Sequence, residues 1–321
     1  MIRPELSIVM PTFNRRRILA RTLPPLLDQP GAAGRYEIVV VVDGSTDGSA
    51  ELLEALATEH PALRPFVQPE NRGQSTARNR GVKEARGRIL LFLDDDMVAA
   101  RDLISVHLQE HSASGERVVL GEMGLADGTR RSFLKQGVAD WGREMSERLS
   151  APGYRFRFDD WHSGHASVDR SLFERVGGFD ETFVRYGNED YHLGWRLIQA
   201  GAEIRFCPKA RAWQIYEKSL YDWLRDSYSV GRADVALTAK APGLQEFLRL
   251  SREESHPLKR VARTSALLPL DPLRPAWECI AAALGTAEVL GLRGKLLSHG
   301  QSLLGEHEYW RGVRDAREAK A

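Results

Sequence analysis

Cysteine is scarce in this sequence, and neither sign of charge is in excess. Only Cys207 and Cys279 occur among the 321 residues, which excludes a disulfide framework and a cysteine-rich zinc site. The formal net charge of +1 gives no overall electrostatic signature of nucleic-acid binding, so no nucleic acid is expected among the partners. Two widely separated cysteines suit a reducing compartment, and the cytoplasm is the expected location.

Long hydrophobic runs are also missing. The opening segment MIRPELSIVMP contains no apolar core of a signal peptide. The most apolar stretch, residues 276–297, is interrupted by Glu278, Glu288 and Arg293, which predicts a buried or interfacial helix rather than a membrane span. Such a helix would allow peripheral contact with the inner face of a membrane.

Several catalytic motifs are absent as well. The sequence has no G-x-x-x-x-G-K-[ST] phosphate loop, no G-x-S-x-G nucleophile elbow and no H-E-x-x-H zinc helix. No G-x-G-x-x-G follows the first strand candidate, which argues against a nicotinamide enzyme. The chemistry must therefore be sought in other residues.

The first 125 residues alternate β-rich runs with amphipathic stretches. Strands are predicted at residues 6–10, 36–42, 65–68, 89–93 and 118–123, and helices at 15–28, 48–58, 74–86 and 101–112. The run IVVVV from Ile38 has no polar alternation, which is typical of a parallel strand covered on both faces. The fold class predicted by this alternation is α/β, with a doubly wound sheet.

The rest of the chain is less regular. Residues 126–170 mix aromatic and basic side chains, and a helix is predicted at 189–200. After residue 217 the pattern is mainly helical. We therefore expect one domain over residues 1–216 and a helical C-terminal extension over 217–321. Within the extension, residues 216–234 suit a lid, a dimer surface or a plain packing helix.

Polar side chains follow three of the predicted strands. These clusters are Pro11-Thr12, Asp43-Gly44-Ser45 and Asp94-Asp95-Asp96. Ligands of doubly wound sheets bind beyond the carboxyl ends of the strands, so the three clusters should converge on one crevice. The acidic triplet is either a solvated turn or a site for Mg²⁺ or Mn²⁺ shared with substrate phosphates, since adjacent carboxylates repel each other.

Two further segments carry candidate site residues. Arg78 belongs to a group of arginines that could clamp a diphosphate, although exposed helix arginines are usually solvated. Glu189 and Asp190 open a predicted helix, where the helix dipole favours ionised carboxylates. Acids at this position either cap the helix or supply the general base for an acceptor hydroxyl.

In this order, six segments resemble the family 2 glycosyltransferases of the GT-A fold. The segments are SIVMPTFNR from Ser7, VVVDGSTDGS from Val40, NRGQSTARNRG from Asn71, LFLDDD from Leu91, GHASVDRSLFERVGGFDE from Gly164 and YGNEDYHLGWRLIQAG from Tyr186. The resemblance covers about residues 5–216, and its specificity comes from the co-occurrence of the motifs. The GGFDE and GNED portions also look like the acceptor-side region of β-1,4-galactosyltransferases and polypeptide N-acetylgalactosaminyltransferases.

The resemblance implies an inverting transfer of a sugar from a nucleotide-diphosphate donor, with UDP favoured, to an acceptor hydroxyl. Residues 1–125 would bind the donor, and residues 126–216 would form the acceptor side. The motifs assign donor binding to Pro11, Thr12, Asp43, Arg78, Asp94 and Asp95, a Mn²⁺ or Mg²⁺ ion to Asp96 with Asp94 as a second candidate, and catalysis to Asp190 and Glu189. In this assignment Asp190 is the general base, and Glu189 binds one of the sugars.

Two positions depart from the family pattern. Gln214 stands where relatives often carry a histidine that some use on the metal. His165 stands where an asparagine usually precedes Ala-Ser. Besides Asp94 and Asp96, the candidate metal ligands are therefore His162, His165 and Gln214.

Three other functions remain open. A retaining transferase would share the fold, and so would a nucleotidyltransferase, although PTFNRRR lacks the glycines that follow strand one in nucleotidyltransferases. A non-catalytic nucleotide-sugar-binding protein is the third alternative. The expected partners are the nucleotide-sugar donor and a carbohydrate, lipid-linked or other hydroxyl acceptor, with a homodimer as a further expectation.

Overall fold

A mixed sheet of eight strands organises the N-terminal two thirds of the chain. The computed structural model describes residues 3–113, 115–126, 132–184 and 187–319. The strands in this part are β1 (Leu6–Thr12), β2 (Tyr36–Asp43), β3 (Leu63–Gln68), β4 (Ile89–Leu93), β5 (Met97–Ala99), β6 (Arg117–Leu125), β7 (His165–Asp169) and β8 (Glu203–Gln214). Their order in the sheet is β3-β2-β1-β4-β7-β6-β8-β5.

Helices flank the sheet and form most of the C-terminal third. They are α1 (Arg16–Leu27), α2 (Ser49–Glu59), α3 (Gln74–Glu84), α4 (Leu103–Glu110), α5 (Phe133–Leu149), α6 (Arg170–Arg175), α7 (Glu189–Gln199), α8 (Leu220–Lys240), α9 (Pro257–Leu267), α10 (Arg274–Val289) and α11 (Lys295–Glu318). Short 3₁₀ turns lie at Pro30–Ala32, Phe158–Asp160, Pro242–Phe247 and Arg249–Ser251. No helix in the described ranges combines the length and the apolar character needed to span a bilayer.

Parallel pairing at the centre of the sheet brings three strand ends to the same edge. Strand β1 pairs in parallel with β2 and with β4, and β2 pairs in parallel with β3. Every residue of β2 is buried, so the prediction that both faces of this strand are covered is confirmed. The doubly wound α/β prediction is also confirmed, because helices cover the sheet and the central strands run in parallel.

Strand β7 was missed by the sequence patterns. It runs antiparallel between β4 and β6 and makes the sheet mixed. Helix α5 also lies in the stretch that looked irregular; it contains Gly137 and Gly142, and glycine lowers helix propensity. The two elements are therefore stabilised by tertiary contacts more than by local sequence preference.

The prediction of a single helix over residues 276–297 is wrong, because the structure has two helices there. Helix α10 ends at Val289, and α11 begins at Lys295. Gly291 and Gly294 lie between the two helices with φ of +71° and +145°. A positive φ at a glycine ends a helix at little steric cost, so these glycines let the chain turn.

The chain divides into two compact units. The first contains residues 1–127, 141–184 and 189–216, and the second contains residues 128–140, 185–188 and 217–321. In the second unit, α8 and α11 approach closely through glycines: a Cβ at Gly231 would lie 2.0 Å from the carbonyl oxygen of Tyr309, and one at Gly312 would lie 2.0 Å from that of Tyr228. This helix contact therefore requires glycine at both positions.

A buried histidine pair links β7 to α4. The Nε2 atoms of His107 and His165 lie 3.1 Å apart, and His165 Nδ1 lies 3.2 Å from the carbonyl oxygen of Glu122. Only one proton fits between the two facing nitrogens, so at least one of the two rings must be neutral. Burial lowers the pKa of His165 to about 4, and burial together with the neighbouring histidines holds the pKa of His107 well below its usual range.

This pair predicts a loss of stability in mild acid. Because the folded-state pKa of His165 lies near 4 and the unfolded value near 6.5, the unfolded chain binds the extra proton first as the pH falls. We expect the contribution of His165 to the free energy of unfolding to fall by about 2 kcal/mol between pH 7.5 and pH 5. Urea unfolding of the wild type and His165→Asn at both pH values measures it. The variant should show the smaller pH dependence, and equal dependence in both proteins would contradict the prediction.

Candidate active site

The ends of β1 and β4 meet at the acidic triplet. The Thr12 hydroxyl, one residue after Pro11, donates to Asp95 Oδ2 at 2.6 Å, and the Thr22 hydroxyl of α1 donates to the backbone oxygen of Asp95 at 2.8 Å. The predicted convergence of Thr12 with the triplet is therefore confirmed. Asp95 is buried, and its pKa is raised to about 6 because burial outweighs the hydrogen bond from Thr12.

Asp43, at the end of β2, holds the loop that precedes α3. Its Oδ1 accepts hydrogen bonds from Gln68 Nε2 at 2.7 Å and from the backbone N–H of Arg72 at 2.8 Å. Its Oδ2 accepts from the backbone N–H of Gly73 at 2.9 Å. Gly73 has a φ of +88°, and a Cβ there would lie 2.4 Å from the carbonyl oxygen of Val184. Asp43 thus holds the loop before α3 in place, and its assignment to donor binding remains a prediction.

Asp96 is a buried carboxylate with one oxygen unsatisfied. Its Oδ2 accepts from Gln214 Nε2 at 3.1 Å, whereas Oδ1 is buried and has no hydrogen-bond partner among the described residues. Burial, together with the charges of Asp94 and Asp95, raises the pKa of Asp96 to about 7. A positive charge beside Oδ1 would relieve this cost.

The donor set fits a hard divalent cation. Asp96 Oδ1 is an available carboxylate oxygen, and the Asp94 side chain beside it is 37% exposed. Across the described ranges, no three His, Cys, Asp or Glu side chains are grouped so that they could hold a metal ion. A Mg²⁺ or Mn²⁺ ion here would need further oxygen ligands from a bound diphosphate and water, which is how Mg²⁺ is usually held.

The three additional metal-ligand candidates lie in different surroundings. Gln214, on β8, contacts Asp96 directly. The His162 ring packs edge-on against Trp141 with centroids 5.2 Å apart. Burial lowers the pKa of His162, against the opposing effect of the Asp190 carboxylate. His165 uses both ring nitrogens on His107 and Glu122, as described above. Among the three, only Gln214 has a contact with the acidic triplet.

Strand alternation explains why His165 is directed elsewhere. Successive side chains of a strand point to opposite faces of the sheet. On β7, Ala166 and Val168 join the apolar layer around Phe92, whereas Ser167 contacts His107 at 2.9 Å on the α4 side with His165. The ring of His165 therefore packs as part of the fold.

Arg78 connects the acidic triplet to the start of α7. Its side chain is only 2% exposed; Nη2 donates to Asp94 Oδ1 at 2.9 Å, and Nη1 lies 3.5 Å from Glu189 Oε1. Burial lowers the pKa of this guanidinium, but the carboxylates of Asp94, Asp190 and Glu189 raise it on balance. Residues from three separate predicted segments are thus joined around one buried cation.

Asp190 has one carboxylate oxygen held in place and the other unused. Its Oδ2 accepts from the backbone N–H of Ser163 at 3.1 Å. Its Oδ1 is buried and lacks a hydrogen-bond partner within the described ranges. As predicted, Glu189 and Asp190 lie in the first turn of α7. The motif residue Tyr186 lies outside the described residues. An oriented carboxylate with an available oxygen can accept a proton from a hydroxyl.

The sequence reading overlooked Asn79. Its Oδ1 accepts from the backbone N–H of Phe179 at 3.0 Å, and its Nδ2 donates to the Phe179 carbonyl at 2.8 Å and to Glu181 at 2.9 Å. Phe179 in turn lies under the Arg78 guanidinium, 5.4 Å from it to the ring centroid. Asn79 therefore fixes the GGFDE turn against α3. Its place between two arginines in the ARNRG segment is the sequence signal for this role.

Arg78→Lys should lower both activity and stability. A lysine ammonium cannot reach Asp94 and Glu189 together, so at least one of these two carboxylates would lose its contact with the buried cation. We expect a loss of about 3 kcal/mol in the free energy of unfolding and about a hundredfold in turnover. Arg80→Lys is the matched control, since Arg80 is exposed on the same helix and pairs with Glu84. Equal behaviour of the two variants in urea unfolding and donor-hydrolysis assays would contradict the role of Arg78.

Two family models match the chain. The model described as glycosyl transferase family 2 matches residues 7–177, more than half of the chain. The model described as N-terminal domain of galactosyltransferase matches residues 143–218. The second match includes the GGFDE and GNED portions, so the predicted galactosyltransferase-like region is confirmed.

Curated relatives are glycosyltransferases or proteins of polysaccharide synthesis. The uncharacterized glycosyltransferase YfnE of Bacillus subtilis is 29% identical over 62% of this chain and 62% of its own length. Validoxylamine A glucosyltransferase of Streptomyces hygroscopicus subsp. jinggangensis is 30% identical over 62% and 52%, respectively. Succinoglycan biosynthesis protein ExoA of Rhizobium meliloti is 30% identical over 76% and 74%. The chain thus spans between half and two thirds of the length of the first two relatives.

Solved structures share the fold at low sequence identity. A mannosyltransferase from Pyrobaculum calidifontis, in complex with GDP-Man and Mn²⁺, has a TM-score of 0.61 and 21% identity, covering 100% of this chain and 89% of that one. Residues 1–349 of S. aureus TarS with UDP have a TM-score of 0.53 and 15% identity, covering 99% and 92%. The fold is therefore GT-A, and the chain belongs to glycosyltransferase family 2.

Proposed function

We propose that this chain transfers a sugar from a nucleotide-diphosphate donor to an acceptor hydroxyl with inversion at the anomeric carbon. One observation carries the proposal: Arg78 joins the acidic triplet to the first turn of α7, where Asp190 presents an unpartnered Oδ1. A donor held at the triplet and a base on α7 are the two halves that a single displacement needs.

The donor half uses the strand ends. Pro11, Thr12 and Asp43 line the nucleoside pocket, and Arg78 with Asp94 lies toward the diphosphate and donor sugar. Mn²⁺ or Mg²⁺ would be held by Asp96, with Asp94 beside it, and when bound it neutralises charge on the leaving diphosphate. The mannosyltransferase neighbour was solved with Mn²⁺, which supports a divalent cation here. UDP is our favoured nucleotide; the neighbours carry GDP-Man in one case and UDP in the other.

The acceptor half supplies the proton acceptor. The Ser163 N–H holds Asp190 Oδ2, which leaves Oδ1 to take the proton of the incoming hydroxyl. The oxygen then attacks the anomeric carbon on the face opposite the leaving diphosphate, so one displacement inverts the configuration. Glu189, oriented by Arg78, is placed to hydrogen-bond one of the sugars. Residues 1–125 form the donor side, residues 126–216 the acceptor side, and residues 217–321 an extension.

The acceptor is proposed to be a carbohydrate or a lipid-linked hydroxyl compound. The name of the Rhizobium meliloti relative, a succinoglycan biosynthesis protein, supports a polysaccharide pathway. A screen of UDP- and GDP-sugars for hydrolysis, with Mn²⁺, with Mg²⁺ and with EDTA, tests donor class and metal need together. Proton NMR of the transferred sugar tests inversion. Retention of configuration would contradict a single displacement and favour a retaining transferase. Donor binding without any turnover would favour a non-catalytic binding protein.

A further inference from the structure

Exposed apolar side chains are concentrated in one short segment of the second unit. Ten of the sixteen large hydrophobic residues that are exposed in the described structure lie between residues 258 and 296. They are Leu258, Val261, Leu268, Leu270, Leu273, Ile280, Val289, Leu290, Leu292 and Leu296, and we call them with α10 the leucine-rich surface. Leu270 is 93% exposed and Leu296 is 84% exposed. A concentration of this kind marks an interaction site.

Helix α10 turns an apolar face to the outside. Its buried side carries Trp277, Ala281 and Leu284. The opposite, exposed side is formed by Ala276, Cys279, Ala282, Ala283 and Thr286, and the exposed pair Arg274–Glu278 lies at its flank in the first turns of the helix. A surface helix of a globular protein normally presents polar side chains there, so α10 has an unpartnered apolar face about 24 Å long.

Leucines project at both ends of this helix. Leu268, Leu270 and Leu273 lie in the segment that leads into α10, Leu290 and Leu292 lie in the turn that leaves it, and Leu296 lies in the first turn of α11. Beside the first turn, an open groove of about 580 Å³ is lined mainly by Pro257, Val261, Leu268, Pro272 and Leu273, with Arg260 among its walls. The groove offers an apolar channel next to a guanidinium.

The net positive charge of residues 257–296 favours an anionic partner. Residues 257–296 contain six basic and three acidic residues, although the whole chain has a net charge of only +1. In the described structure, the exposed Arg260, Arg293 and Lys295 have no carboxylate within ion-pair distance, whereas Glu278 is paired with Arg274 at 2.9 Å. A second copy of this surface would bring like charges together. Anionic lipid headgroups would neutralise them.

We propose that the leucine-rich surface docks on an anionic phospholipid membrane. Helix α10 lies along the interface, the leucines of both turns enter the acyl region, and the groove beside Arg260 takes an acyl chain. Arg293 and Lys295 contact the headgroups. Binding of this kind combines buried apolar area with electrostatic attraction. The inference goes beyond the proposed transfer reaction and does not depend on it.

Vesicle flotation of the purified full chain tests the proposal. One set of vesicles is phosphatidylcholine alone, and the other contains about a third phosphatidylglycerol. We expect flotation with the anionic set and at least fivefold less with the neutral one. Leu270→Glu and Leu290→Glu should each weaken binding about tenfold, because an inserted leucine is lost and a charge is added. Arg293→Gln with Lys295→Gln should remove the preference for anionic vesicles.

Val67→Glu is the matched control, because Val67 is an exposed apolar residue, at 56%, in the other unit. It should float like the wild type. The proposal is overturned if the wild type stays unbound with both sets of vesicles, or if Val67→Glu loses as much binding as Leu270→Glu. Light scattering that shows a dimer which Leu270→Glu dissociates would assign the surface to a second copy instead. Donor hydrolysis by the same samples is a separate readout, so loss of transfer activity and loss of vesicle binding can be told apart.

Discussion

Asp190→Asn is expected to lower sugar transfer about a thousandfold while donor binding stays unchanged. The asparagine side chain has nearly the same shape, and its oxygen can still accept the Ser163 N–H that now holds Oδ2 at 3.1 Å. The amide, however, cannot take a proton from the acceptor hydroxyl, and a positioned general base is worth about two to four orders of magnitude. Steady-state transfer rates and calorimetric titration with the nucleotide measure the two quantities.

The control for this variant is Asp102→Asn. Asp102 is exposed at the start of α4 and makes no side-chain capping bond, so its replacement should leave transfer unaffected. Turnover of Asp190→Asn within tenfold of the wild type would remove Asp190 from the role of base.

Asp96→Asn is expected to abolish the stimulation of the enzyme by Mn²⁺ or Mg²⁺ and to reduce turnover by at least a thousandfold. The substitution removes the charge of the one carboxylate in the triplet that has a buried, unpartnered oxygen. A neutral amide oxygen binds a hard cation much more weakly than a carboxylate. Calorimetric titration of the protein with Mn²⁺ and UDP should show a large loss of affinity for the metal–nucleotide complex.

The free energy of unfolding of Asp96→Asn shows whether the loss of metal binding is due to misfolding. The pKa of Asp96 is raised to about 7, above its ordinary value near 3.8, so the folded state binds a proton more tightly than the unfolded state. Its contribution to stability is therefore lost as the pH rises through 7. In EDTA at pH 8 the asparagine variant should be at least as stable as the wild type. Asp95→Asn is the matched control, because Asp95 accepts from Thr12 and should keep the metal response. Equal loss of metal affinity in both variants would contradict the assignment of Asp96.

The local structure of this protein was predictable from the sequence. Five runs rich in β-branched and aliphatic residues predicted five of the eight strands, with ends displaced by one or two residues. The acidic triplet and the Glu189-Asp190 pair were recognised because each follows or opens such an element. Both predictions depend on residues that are close together in the sequence, and hydrophobic periodicity predicts secondary structure from such residues.

Other features needed contacts between distant residues. The sequence placed Arg78 near a diphosphate, but its bridge from Asp94 to Glu189 became visible only when α3, β4 and α7 were packed together. The role of Asp43 also became visible only in the tertiary structure, where both of its carboxylate oxygens accept hydrogen bonds from the loop before α3. The sequence makes His165 a candidate metal ligand, yet the pleat of β7 directs its ring to His107.

The sequence alone determined the fold class, the family and the set of chemical groups at the strand ends. Each of these features depends only on residue types and on short spacings along the chain. Only the tertiary structure decided which oxygens stay available, namely Oδ1 of Asp96 and Oδ1 of Asp190, and which apolar residues remain uncovered around α10. The physical reason is that hydrogen-bond satisfaction and burial depend on what the rest of the chain brings against each atom, and that is set by topology rather than by local pattern.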